Sequence, residues 1–327
     1  MAKLAFMGVK RWQSDYFQKK ILDRDVSYYT ENLVIDDNAS QIEILACFIF
    51  TVLDKKALDR FENLKCIVTM SAGYDHIDTH ECKRRGIMVF TAPGYGDNTV
   101  AETAFGMLLN LTRKINIANS RASDGVLSFS NLLGTDLKGK TFGVLGTGRI
   151  GTAAMNIANG FGMKVIGYDA FPRKELEQKF NFDYVDFKTI LSSSDVLSLH
   201  MPYLKQTHHV LDDEAFKLMK KGAYLINTAR GELIDTSSLI SALDSGALAG
   251  AGLDVLEGER LLKAGSVLSK EDEKFKQYFD NLRRRENVII CPHISFYSEE
   301  AIVRIMDITL KNIYDFIEGR ELVNRVI

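Results

Sequence analysis

The sequence predicts an α/β protein of two parallel-sheet domains, one of which is inserted into the other. Short apolar runs alternate with segments long enough for helices along the whole chain. A glycine-rich βαβ motif lies in the middle of the chain, and a long helical pattern near the C-terminus has no strand after it. A chain of 327 residues is too long for one small core, which also favours two domains.

The first part of the chain shows a βα rhythm. Its predicted strands are Leu4 to Met7, Ile44 to Phe50, Cys66 to Met70 and Ile87 to Thr91. A long helix is predicted to begin at Thr99, because Thr99 and Glu102 have the spacing of a capping box. Its apolar stripe consists of Phe105, Leu108, Leu111 and Ile115.

The segment from Thr141 to Asp169 has the pattern strand, glycine turn, helix, strand. The turn contains Gly146, Gly148 and Gly151. In such motifs the first glycine makes a tight turn, the second lets the backbone approach a pyrophosphate, and the third allows close helix packing. The helix from Arg149 to about Ala158 then directs free N–H groups at the phosphates. A dinucleotide site is therefore predicted, the alternative being a purely structural glycine turn.

Asp169 ends the second strand of this motif, 18 residues after Gly151. A carboxylate at this distance binds the ribose 2′-OH and repels a 2′-phosphate. NAD is therefore favoured over NADP, although Arg173 nearby leaves NADP open.

After the motif the alternation of strands and helices continues. Strands are predicted at Val185, Val196 to Leu199, Tyr224 to Asn227, Ala251 to Val255 and Val288 to Ile290, and helices at Asp213 to Met219 and Ser237 to Leu243. The last helix, from near Ser298 to about Glu318, is expected to cross back onto the first domain. The expected domains are residues 1–97 plus 296–327, and the inserted residues 98–295, with a cleft between them.

Composition excludes several classes of protein. A net charge of −2 argues against nucleic acid, and the basic runs at 83–85 and 283–285 are typical of solvated helix faces. No apolar stretch approaches the roughly 20 residues of a membrane span, and no signal peptide precedes the first strand. A cytosolic (cytoplasmic) protein is expected.

Cysteines and histidines do not predict a metal site. Cys47, Cys66, Cys82 and Cys291 form no CxxC pair and are interpreted as reduced structural thiols. The histidines show neither HxH nor HExxH spacing, and His208 and His209 would diverge on any regular backbone.

Residues suited to catalysis follow predicted strands, where ligands bind in open parallel sheets. Arg230 can grip a carboxylate through two parallel hydrogen bonds. Asp254, Glu257 and Glu259 follow the next strand, and His293, which titrates near neutral pH, follows the one after. Pro93, Pro202 and Pro292 also end strands, which fits either a ligand edge or simple strand termination.

Long motifs across nearly the whole chain resemble the D-isomer-specific 2-hydroxyacid dehydrogenases. They are SAGYDHID, PGYGDNTVAETAFGMLLNLTRK, VLGTGRIG, LHMP, INTARGELIDTSSLISAL, LDVLEGE and CPHISFY. The resemblance implies two Rossmann-like or flavodoxin-like domains, NAD as cofactor, and a homodimer formed through the cofactor domain.

The resemblance also implies residue roles. Arg230 would bind the substrate carboxylate and polarise its carbonyl, His293 would be the general acid/base, and Glu259 would orient His293 and favour its protonated form. Ala72 and Gly73 would offer backbone N–H groups to the carboxylate. Expected cofactor contacts are Gly146, Gly148, Arg149, Ile150, Gly151, Asp169, Pro202, Thr207, Thr228, Ala229 and Asp254, with Asp254 near the carboxamide.

Within the family the chain is most similar to the D-lactate dehydrogenase branch, on the basis of Tyr95, Phe296, Tyr297 and the long segment before His293. Phe50 occupies what looks like a tyrosine position, so a 2-oxo acid longer than pyruvate is also expected to fit. Two alternatives stay open. One is a reductase for hydroxypyruvate, glyoxylate or a branched 2-oxo acid, and the other is an NAD(H)-sensing corepressor-like scaffold.

Overall fold

The computed structural model describes residues 3–21, 24–29, 39–262 and 272–327. The chain divides into two compact units, Met1–Tyr95 with Ser298–Ile327 as unit 1, and Gly96–Tyr297 as unit 2. Each unit contains one parallel sheet, which confirms the predicted α/β class with two parallel-sheet domains. The observed unit boundaries lie two residues from those expected from the sequence.

Unit 1 is built on a five-stranded sheet of order β2-β1-β3-β4-β5. Its strands are β1 (Leu4–Met7), β2 (Val26–Tyr29), β3 (Ile44–Cys47), β4 (Cys66–Thr69) and β5 (Met88–Phe90). Its helices are α1 (Arg11–Lys20), α2 (Lys55–Leu58), α3 (Thr79–Arg85) and the C-terminal helix Glu299–Glu318. All four strand pairs are parallel, and the order is that of flavodoxin-like folds.

The C-terminal helix completes unit 1. Ser298 caps its N-terminus, because its side chain accepts a hydrogen bond from the backbone N–H of Ala301. The ring of Phe316 packs edge-on against Phe90 of β5, with 6.3 Å between ring centroids. The chain then pairs antiparallel with β5 at Arg325. The last helix therefore belongs to the unit that holds the N-terminal strands.

Unit 2 is built on a seven-stranded parallel sheet of order β12-β11-β10-β9-β6-β7-β8. Its strands are β6 (Thr141–Leu145), β7 (Lys164–Tyr168), β8 (Asp183–Tyr184), β9 (Val196–Leu199), β10 (Ala223–Asn227), β11 (Leu248–Leu253) and β12 (Val288–Ile290). Its helices are α4 (Asp97–Arg113), α5 (Ile115–Ser123), α6 (Arg149–Gly160), α7 (Glu175–Phe180), α8 (Phe187–Ser193), α9 (Asp213–Leu218), α10 (Thr236–Asp244) and α11 (Glu273–Leu282). The strand order reverses between β6 and β9, as in doubly wound dinucleotide-binding sheets.

Two apolar clusters cover the faces of this sheet. Helices α4 and α6 contribute Leu108 and Met155 to one cluster, which also contains Phe142 of β6. Helices α8, α9 and α10 contribute to the other, together with Leu225 of β10. Helices thus cover both faces of the sheet, and the carboxyl ends of its strands lead into loops at one edge.

The predicted start of the long helix was wrong. Helix α4 begins at Asp97, with Gly96 at the N-cap and no side-chain cap, so Thr99 lies inside the first turn. Asp97 accepts a hydrogen bond from Arg149 Nε at 2.7 Å. The helix also ends earlier than the apolar stripe suggested, because Lys114 has a φ of +53° and Ile115 starts α5 as an exposed residue.

The prediction that the two adjacent histidines diverge was also wrong. The rings of His208 and His209 stack with centroids 3.8 Å apart, since His209 has a φ of +50° and the backbone there is not regular. In the part of the chain that the structure describes, no group of three or more His, Cys, Asp or Glu residues could hold a metal ion. None of the described helices is long and apolar enough to cross a membrane.

Candidate active site

Four candidate residues follow strands of the unit 2 sheet, at its carboxyl edge. Asp169 follows β7, Arg230 follows β10, Glu259 follows β11, and His293 follows β12. Since the strands are parallel, all four loops lie at the same edge of one sheet.

The glycine turn after β6 has the geometry that a diphosphate needs. Gly146 has a φ of +96°, and a Cβ there would lie 2.8 Å from the carbonyl of His200. A Cβ on Gly151 would lie 2.0 Å from the Gly146 oxygen, so the helix packs on the turn only with glycine at this position. A Cβ on Gly148 would have nothing within 4 Å. The backbone at Gly148 thus borders open space at the N-terminus of α6, which fits a pyrophosphate.

Asp169 is fixed by the same turn. Its Oδ2 accepts hydrogen bonds from the backbone N–H of Thr147 at 2.8 Å and from the Thr147 hydroxyl at 3.1 Å. Its Oδ1 accepts from the N–H of Phe171 at 2.9 Å. Arg173 donates to the Thr147 carbonyl at 2.9 Å. Thr147 therefore places Asp169 and Arg173 beside the glycine turn, a role that the sequence motif did not reveal.

Arg230 lies on a turn that Asn227 holds. The buried Asn227 side chain donates to the Arg230 carbonyl at 2.8 Å and accepts from the N–H of Ala229 at 3.0 Å. The guanidinium Nη1 of the half-buried Arg230 donates to the Ala229 carbonyl at 2.7 Å. A Cβ on the next residue, Gly231, would lie 2.0 Å from the Leu256 carbonyl carbon, so this turn packs directly on the loop after β11.

Glu259 and His293 are joined by a hydrogen bond. His293 Nδ1 lies 2.6 Å from Glu259 Oε1, and the other carboxylate oxygen accepts from the N–H of Leu256 at 3.1 Å. Burial raises the pKa of the Glu259 carboxyl. This pKa is lowered by the hydrogen bond and charge of His293, by the N–H of Leu256 and by the charge of Arg230. The lowering effects are larger, so the pKa lies below its usual range. Glu259 is thus held as an acceptor against the imidazole.

The backbone of His293 is held by Asp254. The His293 N–H donates to the Asp254 carbonyl at 2.8 Å, while the two carboxylate oxygens accept from the N–H groups of Ile294 at 2.8 Å and Ser295 at 2.9 Å. The Asp254 side chain is 1% exposed. These bonds fix His293 at a φ of +56°, a strained backbone for a residue with a side chain. Among the described residues its Nε2 has no hydrogen-bond partner.

Other predicted cofactor residues lie along the same edge. The Thr207 hydroxyl donates to the Pro202 carbonyl at 3.0 Å and closes the turn after β9. Among the described residues, the buried hydroxyls of Thr228 and Ser295 have no hydrogen-bond partner. Ser295 was not predicted from the sequence. These hydroxyls lie on loops at the same sheet edge as the glycine turn, which fits a site for a large polar cofactor along that edge.

The predicted substrate residues divide between the units. In unit 1, the Ser71 hydroxyl donates to the Gly73 carbonyl at 2.6 Å. Ala72 and Phe50 are exposed. The Tyr95 carbonyl accepts a hydrogen bond from Arg304 at 2.6 Å. In unit 2, the rings of Phe296 and His293 are edge-on with centroids 6.4 Å apart, and Tyr297 packs on Phe296 at 5.9 Å. The roles of these residues stay predictions.

Comparison with known proteins agrees with the geometry. A family model, described as D-isomer specific 2-hydroxyacid dehydrogenase, NAD binding domain, matches residues 105–295. A glyoxylate reductase of Thermococcus litoralis is 37% identical over 302 residues, covering 89% of this chain and 86% of that protein. The D-lactate dehydrogenase kk1H of Curvularia clavata is 37% identical over 295 residues, covering 88% of this chain and 82% of that protein.

A solved structure of the same kind superposes closely. The D-lactate dehydrogenase from Aquifex aeolicus, complexed with NAD and lactic acid, has a TM-score of 0.90 and 35% identity. The match covers 99% of this chain and 98% of that one.

Proposed function

The chain belongs to the D-isomer-specific 2-hydroxyacid dehydrogenase family, and from this premise we propose that it is a D-lactate dehydrogenase. The reaction is the reversible reduction of pyruvate, or of a somewhat larger apolar 2-oxo acid, to the D-2-hydroxy acid. NAD is the cofactor of this family's nucleotide-binding domain, and it supplies the hydride when it is bound.

One observation carries the proposal, namely the 2.6 Å contact between His293 Nδ1 and Glu259 Oε1. This contact leaves Nε2 as the atom that can give a proton to a carbonyl oxygen or take one from a hydroxyl. The carboxylate stabilises the imidazolium, so His293 can hold a proton until the oxygen of the substrate becomes basic.

Arg230 binds the substrate carboxylate and stabilises negative charge on the carbonyl oxygen. A planar guanidinium forms two parallel hydrogen bonds to a carboxylate, which also fixes the orientation of the substrate. The turn on Asn227 and the packing of Gly231 hold this arginine on the sheet edge that also bears His293. We assign the backbone N–H groups of Ala72 and Gly73 to the same carboxylate, by resemblance.

The cofactor would be held by the glycine turn, Asp169 and the strand-end loops. Gly148 leaves room for the diphosphate, and Asp169 accepts hydrogen bonds from the ribose. We assign Arg149 and Ile150 at the start of α6 to the diphosphate. We assign the nicotinamide half to Thr228, Ala229 and Asp254, and the groove to Pro202 and Thr207.

Substrate size is assigned, by resemblance, to the aromatic side chains of Phe50, Phe296 and Tyr297. Phe50 lacks the hydroxyl of the tyrosine expected at this position, which favours an apolar substrate pocket. A pocket of this kind discriminates a methylene or two by only about 1–3 kcal/mol, so longer apolar 2-oxo acids are expected to react as well. The similarity to a glyoxylate reductase supports glyoxylate or hydroxypyruvate as the second candidate substrate.

An NADH oxidation panel tests the proposed reaction. Pyruvate, phenylpyruvate, 2-oxoisocaproate, hydroxypyruvate and glyoxylate would be compared by kcat/KM, with chiral analysis of each product. We expect pyruvate or a larger apolar acid to react fastest and to give the D-isomer. A preference for glyoxylate or hydroxypyruvate would support the second candidate, and no turnover with any of the five would refute the proposed function.

We also infer a homodimer formed through unit 2. Leu127, Phe129 and Leu133 are 91%, 93% and 89% exposed on the segment between α5 and β6. A contiguous set of exposed large apolar side chains favours association. Light scattering of the purified protein would give twice the chain mass if this holds, and a monomer would contradict it. The cytoplasmic location expected from the sequence stays a prediction.

A further inference from the structure

A second histidine–carboxylate pair lies in unit 2, apart from the residues assigned to catalysis. His209 Nε2 lies 2.8 Å from Glu257 Oε1, and His209 Nδ1 lies 3.6 Å from Asp235 Oδ2. The other oxygen of Glu257 accepts a hydrogen bond from the Thr236 hydroxyl at 3.0 Å. The Glu257 side chain is only 12% exposed, and the ring of His208 stacks on that of His209. Glu257 is thus largely enclosed, and His209, at 29% exposure, is held by contacts on several sides.

This pair joins three loops of unit 2. His209 belongs to the loop after β9, Asp235 and Thr236 follow β10, and Glu257 follows β11. The backbone supports the same junction, because the His209 N–H donates to the Glu232 carbonyl at 2.9 Å. His209 has a φ of +50°, a backbone conformation that persists only where surrounding contacts fix it.

Glu257 is connected to two catalytic residues through short backbone contacts. A Cβ on Gly231, the neighbour of Arg230, would lie 2.2 Å from the Glu257 nitrogen. The adjoining residue, Leu256, donates its N–H to Glu259 Oε2 at 3.1 Å. A shift of the Glu257 backbone would therefore move both the turn that carries Arg230 and the carboxylate that holds His293.

We propose that His209 and Glu257 are positioning residues, which hold the loop after β11 so that Glu259 faces His293 and Arg230 keeps its place. The inference rests on the proposed function for the roles of those three residues. Removing one partner of this contact leaves the other partner without its hydrogen bond and also removes a fixed geometry. A misplacement of about 1 Å at a catalytic group can cost about 100-fold in rate.

The test compares Glu257→Ala with Glu257→Gln. The alanine variant loses both contacts, while the glutamine amide can keep both in altered form, because its oxygen accepts from His209 and its NH2 group donates to the Thr236 hydroxyl oxygen. We expect Glu257→Ala to lower kcat on the order of 10-fold with little change in KM for NADH, and Glu257→Gln to recover most of the loss. His209→Gln, which keeps a hydrogen-bond donor, is expected to resemble Glu257→Gln. Glu214→Ala is the matched control, because it removes an exposed contact to Lys217 of 2.8 Å in the same unit.

A readout without turnover separates this inference from the proposed function. The hydrogen-bonded Nδ1 proton of His293 would be observed by NMR at one fixed pH, with its signal assigned by its loss in His293→Gln. We expect this signal to shift or broaden in Glu257→Ala and to stay unchanged in Glu214→Ala, because Glu259 no longer faces the imidazole in the alanine variant. An unchanged signal in Glu257→Ala would overturn the inference. If the wild type reduced no 2-oxo acid, the proposed function would fail, and this signal alone would decide the inference.

Discussion

At the scale of single residues, the site depends on buried polar side chains that hold backbone. Asn227 binds the turn of Arg230 with both ends of its amide, and Asp254 binds the segment of His293 with both carboxylate oxygens. Because both polar atoms of each side chain are hydrogen-bonded, any other conformation of the turn would leave buried polar atoms without partners. The turn is therefore restricted to one conformation. The reactive side chains are thereby fixed by neighbours that need not touch the substrate.

Arg230→Ala is expected to lower kcat/KM for the 2-oxo acid roughly 100- to 10,000-fold. The reason is the loss of two charge-assisted hydrogen bonds, each worth about 1.5–3 kcal/mol. Arg230→Lys keeps the charge without the planar fork and is expected to recover only part of the loss. Steady-state kinetics of the three proteins measure these values of kcat/KM. Equal kcat/KM for the lysine variant and the wild type would show that the two parallel hydrogen bonds of the guanidinium do not contribute.

Glu259→Gln is expected to lose stability in a pH-dependent way. Because the pKa of Glu259 is lowered in the folded protein, its ionised form stabilises the fold above the unfolded pKa of about 4.3, and this contribution is lost as the pH falls through the folded pKa. The difference in free energy of unfolding between wild type and variant should be largest near neutral pH and shrink below about pH 4. Urea titrations between these limits measure it. A difference that grew on acidification would have the wrong sign.

The placement of the candidate residues at one sheet edge could be predicted from strand ends, but the contacts that support them could not. Arg230, Glu259 and His293 stand just after apolar strands, and parallel strands bring such positions to one edge. The structure adds Thr147 and Ser295, whose environments depend on contacts 22 and 41 residues away in the chain. Nothing in the local sequence at either position signals those contacts.

At the scale of elements, the glycine turn offers a matched pair of substitutions. Gly148→Ala is expected to fold normally, since its Cβ enters open space, and to bind NADH more weakly because that space is assigned to the diphosphate. Gly151→Ala is expected to destabilise unit 2 as well, because its Cβ would lie 2.0 Å from a carbonyl oxygen. Thermal unfolding and NADH fluorescence titration distinguish the two. Similar melting temperatures for both variants would contradict the packing role of Gly151.

Physical reasons explain why some elements were not predicted correctly from the sequence. Strand β2 is an edge strand whose residues are partly or fully exposed, so it shows no apolar run. Helix α4 begins one half-turn before the predicted capping box, since Asp97 is favourable at a helix N-terminus and pairs with Arg149 of α6. The buried strands of both sheets, by contrast, are mainly apolar and were predicted within a few residues.

At the scale of the whole molecule, the rate at which the buried thiols react measures how readily each unit opens by local unfolding. Burial raises the pKa of Cys47 to about 12 and that of Cys82 to about 11, and it also raises the pKa of Cys66 and Cys291. We expect a disulfide reagent at pH about 8 to modify half-buried Cys291 first, and the three thiols of unit 1 only as that unit opens. Mass spectrometry of the labelled protein identifies the order. Rapid labelling of Cys47 would contradict the packing of unit 1.

The two units each follow one of the common doubly wound orders, and the reactive side chains of unit 2 lie at the carboxyl edge of its sheet. Folds of this kind serve many reactions, so the reduction of a 2-oxo acid rests on the roles proposed for Arg230, Glu259 and His293.

Turnover of the 2-oxo acid by His293→Ala therefore decides whether these residues act as proposed. It is measured beside the wild type at saturating NADH, with NADH affinity determined on the same preparation. We predict a fall in kcat of about 100- to 10,000-fold, the usual contribution of a positioned acid/base, with NADH affinity unchanged. A kcat close to that of the wild type would remove His293, and with it the pairing to Glu259, from the mechanism.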